Sequence, residues 1–487
     1  MDIPTIVTTV ILIVEYAMKI IAVGVVPENR RPSSSSAWLL LILFLPLVGF
    51  PLYWLIGSPY MSGRRQKVQQ AADEVLRQHT GDLPMLPADT EASRSLERII
   101  QMNRTLTGMP CMTGEVLDML DDPAQTYAAM AAEVDKASRY VHVQFYIMAW
   151  DDTTDVFFQA LARAVQRGVR VRLLVDDMGS RKYAGWKQFK KRLTEVGVDW
   201  HLMLPIDILR GRWRRPDLRN HRKLLVVDGD MALVGSHNLI DPHYASKKNL
   251  KVGRRWHDLS VVVSGDIILE IEAVFAMDWY VECGEVLDPE EHFIDKPDLV
   301  PGGAANAMQL VPSGPGHPTE PNQRMFVALM HLAKESLTIV SPYFVPDEAL
   351  LGAITSAVFR GVDVELFVGA EADQFIVGHA QRSYYAALLE AGVKIYLYPA
   401  PTVLHSKHMT VDDRIGVIGS SNMDYRSFAL DYEIMLMAFG GNLVDLLQAQ
   451  DAAYREVSHL LTLDEWRGQP WPSRYLDNVC RLTSALM

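Results

Sequence analysis

The chain has 487 residues, 49% of them hydrophobic, and carries a formal net charge of −12. That length suits two domains of ordinary size plus appendages, and the acidic balance argues against a general nucleic-acid binder, which presents a basic surface. Three scattered cysteines, Cys111, Cys283 and Cys480, make no disulfide framework and fit a reducing compartment.

The first predicted element is the apolar run Ile3 to Val26, interrupted by Glu15 and Lys19. Each charge costs roughly 2.5–3.5 kcal/mol at a helix centre on insertion scales, but their i, i+4 spacing allows mutual pairing. A short turn, "PENRRPSSSS", leads to Ala37–Gly57, 21 residues without a charge. Such a run is long enough to span a hydrocarbon core of ~30 Å; Pro46 and Pro51 would kink it without forbidding that. Residues 1–60 are therefore expected to form a transmembrane hairpin. Arg30 and Arg31 lie in its turn, and Arg64, Arg65 and Lys67 follow it. The positive-inside rule then mildly favours cytoplasmic catalytic domains. Residues 61–100 are charged and helix-prone, the pattern of a linker helix.

Beyond the linker, strand and helix patterns alternate. "YVHVQFYIMAW", "VRVRLLVDD" and "VDWHLML" read as strands separated by the helices "TTDVFFQALARAVQRG" and "WKQFKKRLTEVG". The same order returns in "SLTIVSPYF", "DEALLGAITSAVFRG", "VDVELFVGA", "AQRSYYAALLEAG" and "VKIYLYP". This predicts an α/β fold with two duplicated halves, each a β-sheet covered by helices. The halves span 101–283 and 309–487, with the Pro/Gly/acid-rich 284–308 joining them.

The chemistry lies in a repeated motif. His221-x-Lys223-x4-Asp228 is followed by Gly235-Ser236-x-Asn238, and 184 residues later His405-x-Lys407-x4-Asp412 is followed by Gly419-Ser420-x-Asn422. Six matched residue types at matched spacing mark an internal duplication. Each copy reads as strand, tight turn, strand. Alternate strand side chains share a face, so each His and Lys point together. Asp228 and Asp412, at odd offsets from their histidines, face away in a structural or electrostatic role within the six-residue catalytic set.

An imidazole can attack phosphorus or protonate a leaving alkoxide near neutral pH. A nearby ammonium stabilises the charge that spreads over the phosphoryl oxygens. Ser236, Asn238, Ser420 and Asn422 are candidate neutral donors to phosphate. With two copies, one histidine can be the nucleophile and the other the acid, then the base. Each needs an orienting carboxylate on its other nitrogen. Glu433 is the candidate for His405, and Asp258 for His221 if "DPHYASKKNLKVG" is an inserted loop. No Cys/His cluster has metal-ligand spacing and no glycine-rich phosphate loop occurs, so no metal or other cofactor is expected.

The two copies are not equivalent. Gly197 to His221 is 24 residues and Gly392 to His405 is 13, and the excess lies in "RGRWRRPDLRNHRK". Arg212, Arg214, Arg215 and Arg219 in that basic run are candidates for holding anionic headgroups at a leaflet. Trp213 suits an interfacial position.

The duplicated His-x-Lys-x4-Asp motif resembles that of the phospholipase D superfamily. "HVQFYIMAWDDT", "LRNHRKLLVVDG", "SPYFVPDEALL", "RSYYAALLEAGVKIYLYP", "GSSNMDYRSFALDYE" and the tail "RYLDNVCRLTSALM" are similar to the bacterial cardiolipin synthases within it. The resemblance covers essentially the whole chain and implies two phospholipase D-like domains behind a membrane anchor. It further implies a metal-free phosphatidyl transfer through a phosphohistidine, with His221 as nucleophile and His405 as acid. The expected partners are phosphatidylglycerol, cardiolipin and the bilayer of a bacterial inner membrane, crossed more than once. A phospholipase D hydrolase, a phosphatidylserine synthase, a nuclease and an inactive lipid-binding scaffold are the alternatives. Asp431 departs from the family pattern, which has Asn there, and puts local hydrogen bonding in question.

Overall fold

Near-continuous apolar strands such as Leu224–Val227 and Ser260–Ser264, buried almost throughout, build a sheet with two buried faces. In the computed structural model, residues 3–28, 32–57, 68, 71, 74, 83–88, 90–183, 185–206, 215–287, 306–317 and 319–484 are described. In the first half the strands run from the outer edge inward as Asp199–Met203, Arg170–Asp176, Tyr140–Phe145, Leu224–Val227, Met231–Gly235, Ser260–Ser264 and Met112–Leu120. The second half repeats the order with Lys394–Tyr398, Asp363–Gly369, Ser336–Val340, His408–Val411, Ile415–Gly419, Asp431–Phe439 and Asn306–Ser313. The two series meet where Met112–Gly114 pairs antiparallel with Asn306–Met308, so one sheet runs through both halves.

Three buried layers hold this sheet. Val141, Val143 and Phe145 face a first-half core with Phe157, Leu161 and Leu193 from the covering helices. Tyr140, which starts the same strand, faces the opposite way with Leu224 and Val226. There the helix Ile267–Cys283 contributes Ile271, Phe275 and Trp279, and the helix Leu443–Val457 contributes Leu443 and Leu447. This second core draws on both halves and fuses them. The helix Arg94–Thr107 crosses the boundary expected at residue 100. It buries Leu96, Ile99 and Ile100 in the core of the second half, although it precedes the first half in sequence. Half of the expected linker helix lies outside the described residues.

The N-terminal runs differ from expectation in two respects. Ile3–Val25 is a single helix, and its Thr5–Val25 portion is long and apolar enough to cross a membrane. Lys19 places its ammonium 5.5 Å over the Tyr16 ring, not on Glu15. The charge-free run, expected to span as one helix, is divided into Pro32–Phe44, Pro46–Leu52 and a π-helical turn Tyr53–Gly57. Leu45 leaves helical geometry at φ −130°, ψ 64°, immediately before Pro46, as the steric demand of a following proline favours. The run then folds back. A Cβ on Gly49 would lie 2.9 Å from the Ile42 backbone, and Trp38 meets Tyr53 edge-on at 5.6 Å. Ala22 and Val26 of the first run pack into the same small core.

Candidate active site

Each His-Lys motif sits at the entry to a short strand that is closed by a tight turn. Asp228 and Asp412 occupy these turns with φ +51° and +50°, a conformation that Asp tolerates better than most residues. The Asp228 carboxylate accepts the backbone N–H groups of Ser138, Arg139 and Tyr140 at 2.7–2.8 Å. Asp412 accepts those of Lys334, Glu335 and Ser336 at 2.7–3.1 Å. The two aspartates therefore tie the far ends of the motif strands to neighbouring strands.

At the near ends the halves exchange short strands. Arg219–Asn220 pairs parallel with Asp431–Tyr432, and Val403–Leu404 pairs parallel with Trp256–His257. The exchange continues into the histidines. His221 N–H donates to Tyr432 O at 2.9 Å, and His405 N–H to His257 O at 2.7 Å. Each histidine thus lies beside the residue that follows its acceptor, which is a carboxylate of the other half. His221 Nδ1 is 2.9 Å from Glu433 Oε1, and His405 Nδ1 is 2.5 Å from Asp258 Oδ1. Both expected carboxylates are present, but the pairing is the reverse of that expected. Each half supplies the carboxylate for the other half's histidine. Asp258 reaches the position equivalent to Glu433 because 239–255 forms an insertion carrying the short helix Lys247–Val252.

The serines also do something other than expected. Ser236 Oγ donates to Asp258 Oδ1 at 2.7 Å and Ser420 Oγ to Glu433 Oε2 at 2.5 Å. Both hydroxyls are fully buried, so here they fix the carboxylates and are not directed at a phosphate. The asparagines are held through one amide N–H each. Asn238 Nδ2 donates to Tyr244 OH at 2.8 Å and Asn422 Nδ2 to Ser427 Oγ at 3.2 Å. A primary amide has a second N–H to give.

Lys223 Nζ donates to His221 O at 2.5 Å and Lys407 Nζ to His405 O at 2.6 Å. Each ammonium is anchored at its own histidine and retains two further protons. Burial pushes Lys223 down to about 7 and Lys407 down to about 8, against the pull of Glu433 and Asp258. Burial and the two lysines hold His221 well below the ordinary histidine range, and His405 is also lowered. Glu433 is pushed up to about 7 by burial. Asp258 is buried too, but His405, His237 and Lys407 outweigh that cost and keep its carboxyl low. The two dyads therefore differ: the carboxyl of Asp258 is held low, and that of Glu433 is pushed up.

Several neighbours escaped the sequence reading. Tyr146 lies edge-on to His221 at 5.1 Å, and Tyr343 edge-on to His405 at 6.3 Å. Both follow strand ends, a position that carries no motif of its own. Arg222 forms a buried 2.5 Å ion pair with Asp278 and donates to Glu433 O. Asp431 pairs with Arg426 at 3.1 Å, which supplies its charge with a partner. Among the described residues no group of three or more His, Cys, Asp and Glu side chains is placed to share a cation.

The basic run divides. Arg212 and Arg214 lie outside the described residues. Arg215 is paired with Asp217 at 2.5 Å. Arg219, expected to face headgroups, is buried and paired with Asp176 at 3.2 Å, because its short strand inserts between the halves.

Comparison with known proteins agrees with this architecture. The family model described as "Cardiolipin synthase, PLD-like domain" matches residues 130–279 and 326–451. A second model, "Phospholipase_D-nuclease N-terminal", matches residues 8–58. The chain is 31% identical to a cardiolipin synthase of Geobacillus kaustophilus over 96% of this chain and 91% of that one. It is likewise 31% identical to cardiolipin synthase A of Proteus mirabilis, over 94% of each chain. A phosphatidylserine synthase structure from Haemophilus influenzae superposes with a TM-score of 0.59 at 15% identity. That match covers 81% of this chain and all of the other and reflects the shared fold.

Proposed function

Since the chain belongs to the cardiolipin synthase family of phospholipase D-like proteins, we propose that it joins two phosphatidylglycerol molecules into cardiolipin and releases glycerol. The observation that carries this reading is the pair of crossed dyads. They bring two imidazoles and two ammoniums into one buried centre, each imidazole with Nδ1 on a carboxylate and Nε2 left for chemistry.

His221, whose protonation burial and the neighbouring lysines disfavour, is the nucleophile. Its Nε2 attacks the donor phosphorus, and the bond from phosphorus to the glycerol oxygen breaks. His405, whose positive form is stabilised by anionic Asp258, gives its proton to the departing oxygen. Lys223, Lys407 and the second amide protons of Asn238 and Asn422 stabilise the charge on the phosphoryl oxygens. His405 then removes the proton from the terminal hydroxyl of a second phosphatidylglycerol. That oxygen attacks the phosphohistidine, the P–N bond breaks, and the enzyme is restored. One phosphodiester replaces another, so the reaction is close to balanced.

The substrates place the protein at a membrane. We assign the anchor to the helix Thr5–Val25, with the folded-back run 37–57 inserted beside it. The bilayer is the bacterial inner membrane, and the catalytic halves lie on its cytoplasmic side. Arg64, Arg65 and Lys67 after the second run support that orientation.

The test is product analysis with purified protein and labelled phosphatidylglycerol in vesicles. Cardiolipin and glycerol should appear in equal amounts, and added glycerol should reverse the reaction. Predominant phosphatidic acid would make the protein a hydrolase. A product formed only when another alcohol is supplied would make it a different transferase.

A further inference from the structure

The second half carries an appendage without a counterpart among the described residues of the first. After the helix Leu443–Val457 come the strand His459–Leu461 and the helices Leu463–Arg467 and Trp471–Arg481. The last of these is anchored from beneath. Asp477 is buried and accepts from His379 Nδ1 at 2.6 Å and from Arg382 Nε at 3.3 Å, both on the helix Phe375–Arg382. Cys480 is buried on the same side.

The opposite side is apolar and open. Trp471 is 68% exposed, Tyr475 59%, Val479 41% and Leu482 78%. Spacings of four, four and three residues put all four within one stripe of a helix. The Trp471 and Tyr475 rings stack at 5.5 Å. Arg474 and Arg481 flank the stripe. The adjoining helix exposes Phe375 and Ile376 at its N-terminal end. Apolar side chains facing out beside aromatics and arginines are the composition of a helix that lies in a membrane interface. A water-facing helix has no use for that stripe, and exposed apolar patches of this kind mark interaction surfaces.

We propose that the helices Trp471–Arg481 and Phe375–Arg382 form a platform that rests in the headgroup region of an anionic bilayer beside the active site. Three observations name the bilayer as the occupant. The same chain carries a helix long enough to cross a membrane. The flanking charges are positive on a chain of net charge −12, which complements an anionic leaflet. The platform also adjoins the catalytic centre. Asp373, two residues before Phe375, accepts the Tyr343 hydroxyl at 2.9 Å, and the Tyr343 ring lies 6.3 Å from that of His405. A lipid leaving the leaflet at the platform thus has a short path to His405. The proposal rests on the lipid-substrate reading for its purpose, and its first test does not depend on turnover.

The test uses the full chain reconstituted in vesicles of phosphatidylglycerol and phosphatidylethanolamine. Native cysteines are replaced and a fluorophore is attached after Tyr475→Cys or Val479→Cys. Phe359→Cys, at the exposed end of the helix Glu348–Phe359, is the control. A quencher on the upper acyl chain of the lipid should quench positions 475 and 479 several-fold more than position 359. Quenching equal to the control overturns the proposal. So does a probe shielded without lipid quenching but cross-linked to another copy, which would make the face an interface between copies. As a second readout, Trp471→Ser with Leu482→Ser should raise the half-saturating surface fraction of phosphatidylglycerol several-fold in vesicles. The rate on detergent-dispersed lipid should not change; an unchanged vesicle dependence also counts against the platform.

Discussion

His405 Nδ1 lies 2.5 Å from Asp258 Oδ1, a carboxylate that belongs to the other half of the duplicated chain. The reciprocal contact joins His221 to Glu433. Neither half contains a complete histidine dyad, so the active centre exists only when the halves are fused. The pairing makes a specific kinetic prediction. Asp258→Asn should impair the acid–base work of His405, and Glu433→Gln the nucleophilic work of His221, each by about 10²–10⁴-fold. In a His405→Ala background, Asp258→Asn should cause little further loss in the slow formation of phosphatidyl-enzyme, whereas Glu433→Gln should still slow it. The opposite pattern would mean that the dyads are not crossed during turnover.

Asp228 is predicted to act on stability and not on the chemical step. Its carboxylate accepts three backbone N–H groups at the end of the motif strand. Asp228→Ala should cost on the order of 3 kcal/mol, as charged hydrogen bonds are lost and buried donors are left unpaired. Although burial opposes ionisation, these bonds hold its carboxyl below the ordinary range. Its stabilisation is therefore complete above the unfolded value near pH 4 and lost as pH falls through the depressed value. Thermal melts against pH should show this acid loss in the parent and less of it in the variant. At a temperature where both are folded, kcat should agree within a few-fold; a large kcat loss would assign Asp228 a part in the chemistry.

The lysines set the alkaline side of the pH profile. Burial lowers Lys223 to about 7 and Lys407 to about 8. Their protonated forms stabilise the phosphoryl oxygens, so kcat/KM should fall as pH rises through that interval. A profile that stays flat through the alkaline range would show that the two charges are retained or unneeded.

The basic run should separate into two behaviours. Arg219→Ala leaves Asp176 buried without its cation, a loss of about 3–5 kcal/mol, visible as a lowered Tm. Arg212→Ala with Arg214→Ala should leave the Tm unchanged and weaken lipid engagement by roughly 1 kcal/mol per residue. Salt dependence should weaken with it. An Arg219→Ala variant that melts normally but binds lipid with altered salt dependence would restore Arg219 to the headgroup site.

The residues of the site were legible because the duplication displays them twice. Parity along the strand was enough to separate His and Lys from Asp228 and Asp412. The partner of each histidine was not legible. It depends on the pairing of Arg219–Asn220 with Asp431–Tyr432 and of Val403–Leu404 with Trp256–His257, long-range contacts that leave no local signature. The burial of Arg219 had the same cause, since Asp176 lies 43 residues away. For the charge-free run the signal was present in Pro46 and Gly49. Hydropathy and length alone favoured a single span, and the close approach of Gly49 to Ile42 decides the folded-back form.

The central claim is that one composite site passes a phosphatidyl group through His221. The most direct measurement is rapid acid-free quenching of the His405→Ala protein with phosphatidylglycerol labelled in its phosphate, followed by peptide mapping. Label should accumulate slowly, should be acid-labile, and should reside on His221. No label on His221 in this protein, together with label on His405 in the reciprocal His221→Ala protein, would contradict the assignment.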